Sequence, residues 1–152
     1  MGDAAGIGAE IILKSLRDKT LTEVCHPILI GDFNFVKNTA KQLGMSFDFV
    51  NFNDVKSKSF VENAVVVYDL DNLSEECPIG IESAIAGKAS AQYIESAVDL
   101  WKRGEIDAIT TAPINKKSIN LGGYDFPGHT EFLASLTAVS YTHLTLPTTP
   151  YV

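Results

Sequence analysis

The segment Phe126-Pro127-Gly128-His129-Thr130-Glu131-Phe132 sets a turn, an imidazole and a hydroxyl directly before an apolar helical pattern, a combination suited to holding an anionic ligand. Pro127 and Gly128 interrupt what precedes them, and Phe132, Leu133 and Leu136 supply helix-spaced apolar positions. Thr130 therefore falls near a helix N-cap, where backbone amides lack intrahelical acceptors and favour negative charge. Imidazole and threonine hydroxyl can each donate to an oxyanion, which makes His129 and Thr130 candidate substrate-binding residues. The plainer alternative is a capping turn with a surface histidine. A second set of candidates follows the strand-like stretch Ile106 to Thr111, whose carboxyl end is where open α/β sheets place ligands. There Asn115 offers an amide and Lys116 a cation, against the alternative of a solvated lysine at the start of a short helix.

A third candidate is Gly2-Asp3-Ala4-Ala5-Gly6-Ile7-Gly8, whose glycines could bring backbone amides close to a negatively charged group. It is not a dinucleotide fingerprint, because Ile11 stands where the third glycine of G-x-G-x-x-G belongs, and it lacks the Gly-Lys-Ser/Thr of a Walker A loop. A tight loop leading into a helix is the competing reading. Asp3 and Glu10 show no spacing that marks a catalytic acid pair.

These residues need a scaffold, and the apolar periodicity predicts one. A helix from about Ala9 to Arg17 carries Ile12, Leu13 and Leu16 on one face. Pro27 to Gly31 reads as a buried strand, followed by a helix capped by Asp32, striped with Phe33, Val36, Ala40 and Leu43, and ended at Gly44. Phe47 to Val50 and Ala64 to Tyr68 read as strands, the second a continuous apolar run of the kind covered on both faces, with Lys56 to Asn63 a polar connection. A long helix is predicted from Ser83 to Arg103, with small residues on its early turns and Gly104 as its stop, and Ile106 to Thr111 reads as a further strand. The class is α/β with a largely parallel sheet and flanking helices.

Taken together, Met1 to Glu10, Ile79-Gly80 through Lys88-Ala89-Ser90, Gly104 to Ile109, Thr110-Thr111-Ala112-Pro113-Ile114-Asn115-Lys116 and Pro127 to Glu131 resemble, in order and approximate spacing, the 4-hydroxythreonine-4-phosphate dehydrogenase family of vitamin B6 biosynthesis. The resemblance covers about residues 1 to 138. It implies an incomplete part of an isocitrate/isopropylmalate-dehydrogenase-like fold, a homodimer, and contact of His129 and Thr130 with the phosphorylated substrate. It further implies hydride transfer from a secondary alcohol to NAD or NADP, assisted by a divalent metal ion held by three histidines, with decarboxylation of the oxo product. Only His26, His129 and His143 occur, in no recognised metal-binding pattern, so no metal ligand is assigned. Thr142-His143-Leu144 resembles the family's metal-histidine context superficially but follows Gly128-His129-Thr130 too soon. On this reading the chain alone is expected to lack dehydrogenase activity. A non-catalytic phosphate-ligand-binding module and an acyl-phosphate transferase are the competing functions.

Both ends read as atypical. Met1 opens almost directly into the glycine loop, with no room for the strand that normally precedes one, and the Thr- and Pro-rich residues 139 to 152 read as a non-native or disordered tail. Residues 1 to 138 are thus expected to form a truncated α/β segment. Composition narrows the rest. A net charge of −7 with a pI near 4.8 disfavours a nucleic-acid surface, and no run of about 18 apolar residues exists to span a bilayer. Cys25 and Cys77 form no C-x-x-C pattern, which fits free thiols and a cytoplasmic location.

Overall fold

A computed structural model of the chain describes residues 1–54, 64–73 and 77–137. The predicted connection at Lys56 to Asn63 and the expected tail at 139–152 lie outside the described residues. Six helices and three strands occur within them: α1 (Gly8–Ser15), α2 (Lys19–Val24), β1 (Ile28–Gly31), α3 (Phe33–Gln42), β2 (Asp48–Asn51), β3 (Ala64–Asp69), α4 (Ala84–Lys102), α5 (Lys116–Leu121) and α6 (His129–Thr137).

The strands form a parallel sheet in the order β1-β3-β2, with Ile28 opposite Val66 and Asp48 opposite Ala64. β3 is central and pairs on both edges, but its burial alternates instead of being equal on the two faces: Val65 and Val67 are buried on one, and Ala64, Val66 and Tyr68 are half-buried on the other. Leu13 of α1, Val36 and Ala40 of α3, and Ala89 and Tyr93 of α4 complete the main core with Leu29. Asp32, itself buried, fixes the turn from β1 into α3. One carboxylate oxygen accepts from the Phe35 amide at 2.9 Å and the other from the Leu73 amide at 3.1 Å, tying the helix start to the chain leaving β3. Asp32→Ala should therefore cost more than an ordinary cap, on the order of 2–3 kcal/mol, because it leaves two amides without their acceptor. Urea unfolding monitored by circular dichroism would measure it.

The longest helix is positioned at both ends and by close packing. Ser83 caps α4 by accepting from the Ala86 amide, and Arg103 closes it. Near its start, α4 crosses α5 with almost no separation: a Cβ on Gly87 would lie 1.7 Å from the Ser118 carbonyl oxygen, and one on Gly122 would lie 2.5 Å from the Lys88 nitrogen. The small residues on the early turns of α4 thus permit backbone to meet backbone.

Two elements differ from the sequence-based expectation. Ile106 to Thr111 forms no strand: among the described residues, positions 106 to 112 make no backbone-to-backbone hydrogen bond. A strand is defined by its neighbour, and apolar pattern alone does not supply one. The helix α2 was not anticipated, because six residues are too few for a periodic signal. Its start is set by Asp18, which accepts from the Thr20 amide at 3.0 Å.

Candidate substrate-binding site

The three motifs, widely separated in sequence, meet in space. Gly2 adopts φ +77°, and a Cβ there would lie 2.4 Å from the Pro113 carbonyl oxygen. The Asp3 amide donates to that same oxygen at 3.0 Å. The His129 ring, in turn, is influenced by a hydrogen bond with the Ala112 backbone. Lys116 completes the ring of contacts, since a Cβ on Gly128 would lie 3.7 Å from its Cε and 3.9 Å from its Nζ.

Local packing explains how α6 holds its first residues there. Phe132 is buried, stacks on Phe126 with centroids 4.4 Å apart, and sits 5.7 Å from Tyr124. These rings join Ala91, Ile94 and Ile114 in a second, smaller apolar cluster. At its far end, α6 receives a hydrogen bond from Lys102 Nζ to the Leu136 carbonyl. Gly128 occupies the cap position, because its carbonyl accepts the first helical bond, from the Phe132 amide. Thr130 is therefore the second helical residue, one step further inside than a cap, and the amides of residues 129 to 131 precede the first internal bond.

Electrostatically the site is mixed. Burial pushes the His129 pKa below its ordinary value, and the Ala112 backbone bond opposes this only in part. Its Nε2 is buried and has no hydrogen-bond partner among the described residues. Lys116 is exposed and makes no ion pair there, whereas its neighbour Lys117 is bound to Glu82. The Glu131 carboxylate also approaches Gly128, reaching within 3.4 Å of where its Cβ would stand. An arriving anion would have to turn that side chain outward.

The other candidates are occupied with structure. Asn115 caps α5 through its side-chain oxygen, accepting from the Ser118 amide at 3.0 Å, and also bonds to Glu82. Asn115→Ala should destabilise the chain by about 1 kcal/mol, read from the shift of a denaturant midpoint at unchanged slope. In the glycine loop the Ala5 amide is taken by Asp3 Oδ1, the Gly6 amide by the Asp3 carbonyl and the Asp3 amide by Pro113. Those amides are consumed internally, and buried Asp3, whose pKa burial raises, brings the wrong charge for a phosphate. The tight-loop reading is therefore the one that fits. Among the described residues no three His, Cys, Asp or Glu side chains converge to hold a metal ion, and none of their helices is long and apolar enough to cross a membrane.

A parallel sheet flanked by helices, with a histidine and a threonine at a helix start beside the turn after Thr111, is part of an isocitrate/isopropylmalate-dehydrogenase-like architecture. The solved structure of a 4-hydroxythreonine-4-phosphate dehydrogenase from Burkholderia phymatum is similar with a TM-score of 0.87 at 40% identity, covering 93% of this chain and 43% of that one. One from Klebsiella pneumoniae gives 0.82 at 31% identity, covering 92% and 43%. The family described as pyridoxal phosphate biosynthetic protein PdxA matches residues 23–149, and the chain belongs to it. A D-threonate 4-phosphate dehydrogenase from Cupriavidus necator is 41% identical over 137 residues, which is 90% of this chain and 41% of that protein. The chain thus spans about two fifths of the relatives it matches.

Proposed function

We propose that this chain is the part of a dehydrogenase that grips the phosphorylated end of 4-phosphohydroxy-L-threonine or a related phosphorylated hydroxy acid. The observation that supports this most is the approach of the Lys116 side chain to Gly128 at the start of α6, immediately before His129, whose buried Nε2 has no partner among the described residues. In this reading Lys116 supplies charge, Thr130 a hydroxyl donor, and His129 a ring held by the Ala112 backbone that leaves Nε2 to meet the ligand. Names carried by the relatives favour a four-carbon acid phosphorylated at its end. NAD or NADP as hydride acceptor, a divalent metal, decarboxylation of the oxo product and a cytoplasmic homodimer belong to the same proposal. The described residues offer no ligand set for the metal, so the chain's derived contribution is to bind and orient.

The test uses two forms of the protein. In the chain itself, His129 ring resonances are followed by NMR as phosphorylated hydroxythreonine or D-threonate 4-phosphate is added; a bound phosphate dianion should raise the ring's pKa. In a chimera carrying residues 1–137 in place of the matching part of the Cupriavidus necator enzyme, His129→Ala and Thr130→Ala should each lower kcat/KM about ten- to hundredfold, the worth of one hydrogen bond to a charged group. Unchanged kinetics in both variants, with an unperturbed ring, would refute the reading. Ligand binding without cofactor reduction by the chimera would favour a non-catalytic phosphate-binding module.

A further inference from the structure

The hydroxyl of Tyr93, a buried residue of α4, meets the segment that leaves β3, where Asp71, at φ +46°, turns the chain into Asn72. Burial, reinforced by Asp32, Cys77 and Asp69, pushes the Tyr93 pKa up, so the phenol keeps its proton. Its one hydrogen-bond partner among the described residues is Asn72 Oδ1, at 2.9 Å, and the proton goes there because a buried donor left unmatched is costly. That fixes the orientation of the Asn72 amide, whose Nδ2 donates to Gln92 Oε1 at 2.8 Å. Gln92 thus has its oxygen engaged, and its Nε2 has no partner among the described residues. The proton of one phenol sets the polarity of two amides in series.

Asn72 and Gln92 line a cavity of about 360 Å³ together with Ile85, Lys88 and Ala89. Lys88 lies four residues before Gln92 on the same face of α4, is exposed, and makes no ion pair among the described residues. We propose that this cavity binds a small monocarboxylate with a short apolar body, one oxygen on Lys88 Nζ and the other on Gln92 Nε2. A carboxylate only accepts hydrogen bonds, so it matches a wall whose unengaged groups donate. One cation offsets its single charge, whereas a phosphate dianion would bring two. Ile85 and Ala89 supply the apolar contact for the body of the acid. The cavity shares no residue with the site at the start of α6.

Titration of the chain with 3-methylbutanoate, followed by NMR on the side-chain amides of Gln92 and Asn72, tests this beside two comparison probes, 3-methylbutanamide and inorganic phosphate. The carboxylate should shift the Gln92 amide saturably, with both comparison probes at least about tenfold weaker. Lys88→Met and Gln92→Leu should each weaken the carboxylate about tenfold or more, the worth of a hydrogen bond to a charged group. Asn72→Leu combined with Tyr93→Phe removes the relay without stranding a hydroxyl, and should weaken binding although Lys88 and Gln92 are kept. No saturable shift, equal binding of the amide or of phosphate, or wild-type affinity in the exposed-site variant Lys88→Met would overturn the carboxylate site. Wild-type affinity in the folded double variant would overturn the role of the relay.

Discussion

Gly87→Ala is expected to destabilise the chain by at least about 2 kcal/mol, the reverse of what this change does in an exposed helix. In isolation, alanine in a helix interior is favoured over glycine by about 1 kcal/mol. At Gly87 the added methyl would meet the carbonyl carbon and oxygen of Ser118 at 2.0 and 1.7 Å and the Ile119 nitrogen at 2.6 Å. All three are backbone atoms, which cannot swing aside as a flexible side chain can, so α4 and α5 must move apart. Because Lys116 is the first residue of α5, the same displacement should weaken the proposed capture of a phosphorylated ligand. Thermal unfolding decides the first point: a higher melting temperature for the alanine variant would mean that the helices do not cross as described. Gly122→Ala, whose methyl would meet the Lys88 nitrogen at 2.5 Å, should act in the same direction.

Stability should also rise with pH between about 5 and 8, by up to about 4 kcal/mol at about 1.4 kcal/mol per pH unit. Burial lowers the pKa of the Met1 amino group from 8.0 to about 5. Between those values the unfolded chain holds a proton there that the folded chain does not, so acidification favours unfolding. The penalty is complete below pH 5 and absent above pH 8. His129, its pKa also lowered by burial, adds to the same slope below its ordinary 6.5. Acetylation of the Met1 nitrogen separates the two, since it removes the first contribution and leaves the second. A urea midpoint that is flat from pH 5 to 8 in the unmodified chain would refute the buried amine.

Much of this fold was legible because local chemistry and tertiary packing agree along the first hundred residues. Asp32 and Ser83 are helix caps by residue type and by geometry, Gly44 ends α3 with φ +65°, and the apolar run at Ala64 is the central strand. The stretch at 106–111 shows where pattern fails: its apolar residues announce burial, but pairing depends on a neighbour that the pattern does not encode. For the site, glycine and proline flagged the turn before α6, and residue types flagged His129, Thr130 and Lys116. Their proximity was not legible, because it arises from a crossing of α4 with α5 and a stacked pair of phenylalanines. The competing uses of Asn115 and of the loop amides were equally hidden, since a cap and a ligand contact call for the same groups.

The junction between Gly2-Asp3 and Ala112-Pro113 sets when the site can exist at all. Its partners stand near opposite ends of the described chain, so closing that loop carries a large entropic cost and must be supported by contacts formed elsewhere first. If the chain binds a phosphorylated acid as proposed, then by mass action a ligand at a hundred times its Kd would add about 2.7 kcal/mol to the native state alone. On that proposal, the ligand in a cell would act as a folding sink for the chain.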